Sequence, residues 1–229
     1  MLLKHFVTIA DASRSFDQTV STLRKHFTHI DWSQIEHIKL ANEYYKWTTL
    51  KTNLILSEKT IQIPSSALPN TIKTTTFQWL RSEKQAIVRK YYKYDDKTEQ
   101  YIISVNKNSI PDEDVQIIMR YLVLIRKAVI WVDFGYNIGT EFGGRHPAII
   151  LKNLKDSLIV IPLSSQRPSN MEFNVTVDKV YGYPLMTRWA NVTRITQVSL
   201  SRVHFDTIGD VKSSVLKEIS NKLKNCGII

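Results

Sequence analysis

One segment of the chain is more informative than any other, residues 135–166, which read GYNIGTEFGGRHPAIILKNLKDSLIVIPLSSQ. Four of the seven glycines in the protein lie within its first ten positions. Glycines concentrated in one loop indicate unusual backbone angles or a close approach of the backbone. The loop leads into an apolar run, and a second apolar run follows after a short turn. The pattern predicts two neighbouring β-strands that are entered through a glycine-rich loop.

Polar side chains stand at one end of each predicted strand. The loop places Glu141, Arg145 and His146 before the first strand, and residues 164–166 (Ser-Ser-Gln) end the second. If the strands are neighbours, these groups converge at one end of a small barrel. An imidazole transfers protons near pH 7, a guanidinium binds phosphate, and a hydroxyl orients the reacting group. The set suits phosphodiester chemistry, although polar loops are also commonly solvated and without a catalytic role.

The rest of the chain predicts a helical front part and a β-rich back part. Apolar residues at helical spacing predict helices over residues 17–27, 33–47, 78–93 and 111–125. Residues 94–103 resemble a turn leading into a strand. Short β-rich runs follow at 128–134, 147–151, 158–163 and 173–177, and an amphipathic helix is predicted over 210–225. We therefore expect a mainly helical accessory region over 1–125 and a small barrel or sandwich over 126–229.

Composition narrows the class of protein. The 229 residues are 43% hydrophobic and 10% aromatic, which is enough for a buried core. Lys and Arg number 31 against 21 Asp and Glu, and the net charge of +10 favours a polyanionic partner, nucleic acid before membrane. The single cysteine, Cys226, excludes a disulfide scaffold and fits a reducing compartment. Charged residues interrupt the most apolar stretch, 115–132, so we expect a soluble, cytoplasmic protein without membrane contact.

Five short segments in a fixed order carry a family resemblance. They are IWVDF (130–134), GTEFGGRHPAIIL (139–151), IPLSSQ (161–166), WANVTRI (189–195) and LSRV (200–203). Together they resemble the MazF/PemK toxins, endoribonucleases of type II toxin–antitoxin systems, over about residues 126–226. The resemblance implies an α+β fold with an SH3-like β-barrel (MazF/CcdB-like) and a terminal helix. It also implies a homodimer that binds single-stranded RNA and a cognate antitoxin protein.

The resemblance further implies a reaction without metal or cofactor. The ribose 2′-hydroxyl attacks the adjacent phosphorus, which gives a cyclic phosphate and a free 5′-hydroxyl. In the family motif the catalytic Arg directly precedes Pro, a hydroxyl residue of the next strand partners it, and an upstream Glu supports the loop or the nucleophile. The hydroxyl and Glu positions fall on Ser164 and Glu141.

The catalytic arginine position departs from the family motif. The residue before Pro147 is His146, and Arg145 stands one place earlier. Three alternatives follow. In the first, His146 replaces the arginine as general acid–base while Arg145 contacts the phosphate. In the second, the loop is shifted and Arg145 acts alone, and in the third the site is inactive. We take the first as the working hypothesis, because adjacent strand residues point to opposite faces and the pKa of histidine suits proton transfer.

The remaining residues of the two segments are assigned to RNA contact. They are Tyr136, Asn137, Thr140, Phe142, Gly143, Gly144, Ser165, Gln166 and Arg167. Basic and aromatic residues are also interleaved over 79–94, a pattern of single-strand RNA binders. An amphipathic element that buries its aromatic residues and exposes its lysines is the preferred explanation of this pattern. His26, His29 and His37 with Glu36 are metal-ligand residue types, but a solvated helix end accounts for them, and no metal is assigned.

Two other classes of function compete with the nuclease. One is a non-catalytic inhibitor on the same barrel, similar to the CcdB-type gyrase poisons. The other is a degenerate toxin that only binds RNA or an antitoxin. Fold does not separate the three, because one fold supports several functions. The set Glu141, Arg145, His146 and Ser164 favours the nuclease, since a pure binding protein does not need it.

Overall fold

The computed structural model describes residues 33–56, 63–135 and 142–227, with isolated positions between 14 and 28. The chain divides into two compact units, Met1–Ser57 and Glu58–Ile229. In the first unit, helix α1 spans Ile35–Leu56 and carries ion pairs one turn apart between Lys39 and Glu36 and between Lys46 and Glu43. Helix α1 continues beyond the end predicted at residue 47. Of the helix predicted over 17–27, six of the eleven residues are described, all as helix, and the other five lie outside the described residues.

The second unit begins with short helices and a small antiparallel sheet. The helices are α2 (Thr74–Gln78), α3 (Ser82–Tyr91) and α4 (Asp112–Ile118). The strands are β1 (Thr71–Lys73), β2 (Tyr92–Asp95) and β3 (Gln100–Ile103), in the order β1-β3-β2. As predicted, α4 follows Pro111 with three acidic residues in its first turn, and a π-helical turn (Met119–Val123) continues it toward the end predicted at residue 125. Helix α3 is shorter than predicted because the β-prone residues from Tyr92 onward pair with β3.

The back part is dominated by one antiparallel sheet. Its strands are β4 (Ala128–Asp133), β5 (Arg145–Asn153), β6 (Ser157–Ser164), β7 (Asn174–Val177), β8 (Arg188–Asn191), β9 (Thr196–Ser199) and β10 (Val203–Asp210). Their order is β10-β4-β5-β6-β8-β7, with β9 paired to β6, and helix α5 (Ser213–Asn225) closes the fold. The predicted combination of helices and strands (α+β) and the predicted C-terminal helix are thus confirmed, and the sheet is antiparallel.

Closure of this sheet into a barrel is not seen among the described strands. The strand order has two edges, β10 and β7, and no pairing in the described part of the chain joins them. The SH3-like description therefore stays a proposal. Sequence alternation did not indicate β10, because its pairing with β4 shifts register between His204 and Ile208.

The two faces of the large sheet bury separate apolar cores. On one face, α5 residues such as Ile219 pack with Val129 and Ile161. On the other, Ile130 and Val132 share a core with residues of the 63–125 region such as Phe77 and Ile118. That second core includes side chains from both sides of residue 125. The domain boundary predicted there stays a prediction.

Side-chain contacts also join residues 63–125 to the large sheet. The Asn153 amide donates hydrogen bonds to the carbonyl oxygens of Arg120 and Leu124, at 3.2 and 3.0 Å. Arg120 pairs with Asp156 at 3.1 Å, in the turn between β5 and β6. None of the described helices has the length and apolarity needed to cross a lipid bilayer.

Candidate active site

The register of β4 and β5 fixes the directions of Arg145 and His146. Val132 is paired with His146, and Asp133 is paired with Arg145. Paired residues of antiparallel strands share a face of the sheet, and successive residues alternate between faces. His146 and Arg145 therefore project to opposite faces, and His146 lies on the face of Val132.

The next ladder relates His146 to Ser164. Strands β5 and β6 pair Ala148 with Pro162. His146 lies two residues before Ala148 and Ser164 two residues after Pro162, so both side chains share the face of that pair. On its other side, Ser164 is paired with Trp189 of β8. The fold thus brings two of the predicted catalytic residues to one face at the same end of the sheet.

A cavity of about 190 Å³ opens on this face. Its lining residues are Phe142, Pro162, Ser164, Gln166, Arg167, Pro168, Asn174, Trp189, Asn191 and Arg194. The Ser164 hydroxyl accepts a hydrogen bond from the backbone N–H of Gln166 at 3.0 Å. Of the predicted RNA contacts, Phe142, Gln166 and Arg167 line the cavity, whereas Ser165 is exposed outside the lining.

The His146 ring is half-buried on the face of Ser164, next to Phe142, which lines the cavity. It contacts the ring of Phe142, with centroids 4.3 Å apart, and forms backbone hydrogen bonds with Gly143 and Leu163. Gly144, at φ +80°, borders the same ring, so a side chain there is disfavoured by the backbone conformation. Residues 142–144, at the described end of the glycine-rich loop, therefore lie close to the imidazole.

The environment of His146 favours its neutral form. Burial lowers the pKa of the ring below its ordinary value, and the positive charge of Arg194 lowers that pKa further. Hydrogen bonds with Gly143 and Leu163 act in the opposite direction. The balance lowers the pKa of His146, which favours the neutral form that accepts a proton.

Arg194 is the residue that sequence reasoning missed. Its guanidinium lies 5.1 Å from the centroid of the Phe142 ring, and its charge acts on His146. It is exposed and lines the cavity together with Ser164. The available signal was a basic residue just after a strand, within the WANVTRI segment, but spacing alone does not show that β8 lies beside β6.

Arg145 lies apart from this group. Its guanidinium bonds Asp206 at 3.2 Å and lies 5.5 Å from the centroid of the Trp131 ring. These contacts are on the face opposite His146, so the predicted phosphate contact by Arg145 stays a prediction. Four assigned residues lie outside the described part of the chain: Tyr136, Asn137, Thr140 and Glu141.

The histidines considered as metal ligands do not form a site in the described part of the chain. His26 and His29 lie outside the described residues, and His37 and Glu36 lie on α1. Within the described ranges no group of three potential metal ligands comes together.

We expect the folded protein to lose stability as the pH falls from neutrality. Burial lowers the pKa of His146 and of His204, so the unfolded chain binds protons more readily than the folded one. The contribution is complete above about pH 6.5 and is lost as the pH falls through the folded pKa values. Thermal unfolding between pH 7.5 and 5 measures the effect. The double variant His146→Gln/His204→Gln is expected to flatten the dependence. A slope equal to that of the unsubstituted chain contradicts this interpretation.

Comparison with known proteins adds a family and several solved structures. Residues 125–226 match the model of the PemK-like, MazF-like toxins of type II toxin–antitoxin systems. MazF (Form-I) from Deinococcus radiodurans is similar at 21% identity, covers 47% of this chain and 98% of its own, and gives a TM-score of 0.39. The Mycobacterium tuberculosis toxin MazF-mt6 is similar at 15% identity, over 45% and 98%, with a TM-score of 0.35.

A further solved structure contains a complex. MazE-MazF (Form-II) from Deinococcus radiodurans is similar at 21% identity over 44% of this chain and 91% of its own, with a TM-score of 0.35. A search of curated proteins found no match. The family match covers β4 to α5 and includes His146, Ser164 and Arg194. Residues 125–226 of this chain therefore form a domain that matches the PemK-like, MazF-like toxin family.

Proposed function

We propose that this protein is a toxin endoribonuclease that cleaves single-stranded RNA without a metal ion. One observation carries the proposal: His146, a half-buried imidazole whose pKa is lowered, shares a sheet face with Ser164, and Ser164 lines one cavity together with Arg194. A proton acceptor, a polar positioning group and a cation are the groups that 2′-hydroxyl attack on a phosphodiester requires. The family match supports the same class of reaction.

The proposed steps assign one role to each side chain. His146 accepts the proton of the ribose 2′-hydroxyl while the 2′-oxygen forms a bond to the adjacent phosphorus. Arg194 neutralises the charge that develops on the non-bridging phosphate oxygens, and Ser164 donates a hydrogen bond to one of them. The bond from phosphorus to the 5′-oxygen breaks, and that oxygen is protonated from solvent. The products are a 2′,3′-cyclic phosphate and a free 5′-hydroxyl.

The proposed partners follow from the family. Toxins of type II systems are counteracted by antitoxin proteins, so we propose that this chain has a cognate antitoxin. The proposed place of action of the chain is the cytoplasm. We also propose a homodimer with RNA bound along its interface. Arg167 and Gln166, which line the cavity next to Ser164, are the described residues best placed to continue an RNA path from the reacting phosphate.

Product chemistry tests the proposed function directly. The purified full chain is incubated with mixed-sequence single-stranded RNA in EDTA, and the ends of the fragments are analysed. We expect 5′-hydroxyl and 2′,3′-cyclic phosphate ends at a recurrent short sequence. Substituting 2′-O-methyl nucleotides abolishes cleavage, because the attacking hydroxyl is then absent.

Other outcomes separate the competing functions. Intact RNA together with double-strand breaks in DNA treated with gyrase identifies a gyrase poison and rejects the nuclease. Cleavage that requires an added divalent ion, or that leaves 5′-phosphate ends, rejects the proposed mechanism. RNA that is bound but uncut over the full pH range indicates a degenerate toxin.

A further inference from the structure

A second and larger concave surface lies outside the candidate active site, within the unit Glu58–Ile229. This groove has a volume of about 970 Å³. One side is formed by the segment from α2 to the start of α3. The other side is formed by residues near the end of the π-helical turn after α4 and by the first residue of α5. Its lining residues are Thr75, Thr76, Trp79, Leu80, Arg81, Glu83, Lys84, Tyr121, Ile125, Arg126, Lys127 and Ser213. It shares no lining residue with the cavity that contains Ser164. We call it the Trp79 groove.

An exposed indole stands at this groove. Trp79 lies in the turn between α2 and α3 and is 89% exposed, the largest value among the exposed apolar side chains of the described residues. The turn is fixed, because the Gln85 amide donates hydrogen bonds to the carbonyl oxygens of Leu80 and Phe77, at 3.0 and 3.4 Å. Phe77 is buried below it. A flat aromatic ring is thus held in solvent on a rigid turn, which lowers the entropic cost of stacking a ligand on it.

The charges around the groove have one predominant sign. Arg81, Lys84, Arg126 and Lys127 line it against the single acidic residue Glu83. The Lys84 ammonium lies 5.1 Å from the centroid of the Tyr121 ring, which orients that charge toward the groove lining. The Lys127 ammonium lies 3.9 Å from the Asp210 carboxylate, which is a long distance for an ion pair. Four cations around an open aromatic ring match the phosphates and bases of a single strand.

We propose that the Trp79 groove is a binding site for single-stranded RNA, separate from the site of cleavage. A base stacks on the indole of Trp79, and Arg81, Lys84 and Arg126 contact the flanking phosphates. Each nucleotide of a single strand supplies both a phosphate for the cations and a planar base for the indole, whereas the carboxylates of an acidic peptide supply only the charge. We therefore choose RNA as the occupant. The proposal does not depend on the nuclease mechanism, and it gives residues 63–125 a role in recruiting RNA.

Binding of a non-cleavable strand tests the proposal. The full chain is titrated with a short 2′-O-methyl RNA carrying a fluorophore, and anisotropy gives the dissociation constant. Trp79→Ala is expected to weaken binding by about 5- to 100-fold, the effect of removing one stacked base. Trp79→Phe restores most of it. Leu185→Ala, at a position that is 82% exposed and outside the groove, leaves binding unchanged.

Salt dependence tests the charges separately. The double variant Arg81→Gln/Lys84→Gln is expected to reduce the slope of log K against log salt by about 0.7 for each phosphate that the protein no longer neutralises. The control Lys97→Gln, an exposed lysine of the β2–β3 turn, leaves the slope unchanged. An unaltered affinity in Trp79→Ala overturns the proposal. So does tight binding of a polyglutamate peptide that depends on Arg81 and Lys84 while RNA binding does not.

The groove proposal and the nuclease proposal can be rejected independently of each other. Because the strand is non-cleavable, a chain without nuclease activity still shows Trp79-dependent binding if the groove proposal is correct. Conversely, Trp79→Ala is expected to retain cleavage at saturating RNA, since none of the groove residues lines the candidate active site. Cleavage that vanishes in Trp79→Ala even at saturation overturns the separation of the two sites.

Discussion

Replacing His146 by alanine is expected to reduce RNA cleavage by about 10²- to 10⁴-fold, the range contributed by a positioned general acid–base group. The reason is geometric as well as chemical, because His146 is the imidazole on the Ser164 face and its pKa is lowered toward the neutral form. Single-turnover rates on a short RNA substrate measure the effect. The wild-type rate is expected to rise with pH through the pKa of His146 and then level off, and His146→Ala removes that titration.

Arg145→Ala is the matched control for this prediction. Arg145 is the adjacent residue but projects to the opposite face, where it bonds Asp206 and lies over Trp131. If Arg194 rather than Arg145 contacts the phosphate, as proposed, this replacement lowers the rate by less than about tenfold. A decrease as large as that of His146→Ala supports the phosphate contact of Arg145 predicted from the sequence. A large decrease in Arg145→Ala with full activity in His146→Ala contradicts the assignment and restores the shifted-loop alternative. Circular dichroism checks that both variants are folded.

The sequence was a good guide to the face on which each residue of the candidate site lies. Alternation along a strand separates His146 from Arg145 without any structure, and the β4–β5 register agrees with that separation. The loop glycines likewise predicted a close approach, and Gly144 borders the His146 ring at positive φ. Both features follow from local backbone geometry, which a single sequence encodes well.

Features that depend on strand order could not be predicted from the sequence in the same way. Arg194 joins the cavity only because β8 lies beside β6, a pairing between segments that are far apart in sequence. The basic and aromatic segment 79–94 was ambiguous for a similar reason. Phe77, two residues before Trp79, is buried in the core, and only the packing of the turn shows that Trp79 itself remains exposed.

The accessory region was the least predictable part of the chain. Composition indicated helices, and α3 and α4 are present, but the sheet β1-β3-β2 between them required long-range pairing. Its contacts with the toxin domain were also hidden, since helical periodicity shows that a face is apolar but not which element covers it. The shared core and the hydrogen bonds that Asn153 donates to Arg120 and Leu124 indicate that residues 63–125 pack directly against the large sheet.

We therefore expect Phe77→Ala to destabilise the whole unit Glu58–Ile229, by about 3–5 kcal/mol in the free energy of unfolding. Phe77 is 2% exposed and stacks on Tyr101 with ring centroids 4.0 Å apart, so this stacking lies within residues 63–125. If the core that crosses residue 125 makes one cooperative unit, the destabilisation is transmitted to the toxin domain. Urea unfolding followed by tryptophan fluorescence measures it.

The fluorescence reporter is confined to the toxin domain by substitution. A background chain with Trp32→Phe, Trp47→Phe and Trp79→Phe retains only Trp131 and Trp189, which lie on β4 and β8. Phe77→Ala in this background is expected to lower the urea midpoint equally by fluorescence and by far-ultraviolet circular dichroism. Leu185→Ala, on an exposed side chain, changes the free energy by less than about 0.5 kcal/mol. A fluorescence midpoint that does not move in Phe77→Ala, while circular dichroism shows an early transition, contradicts a single cooperative unit and makes residue 125 a true domain boundary.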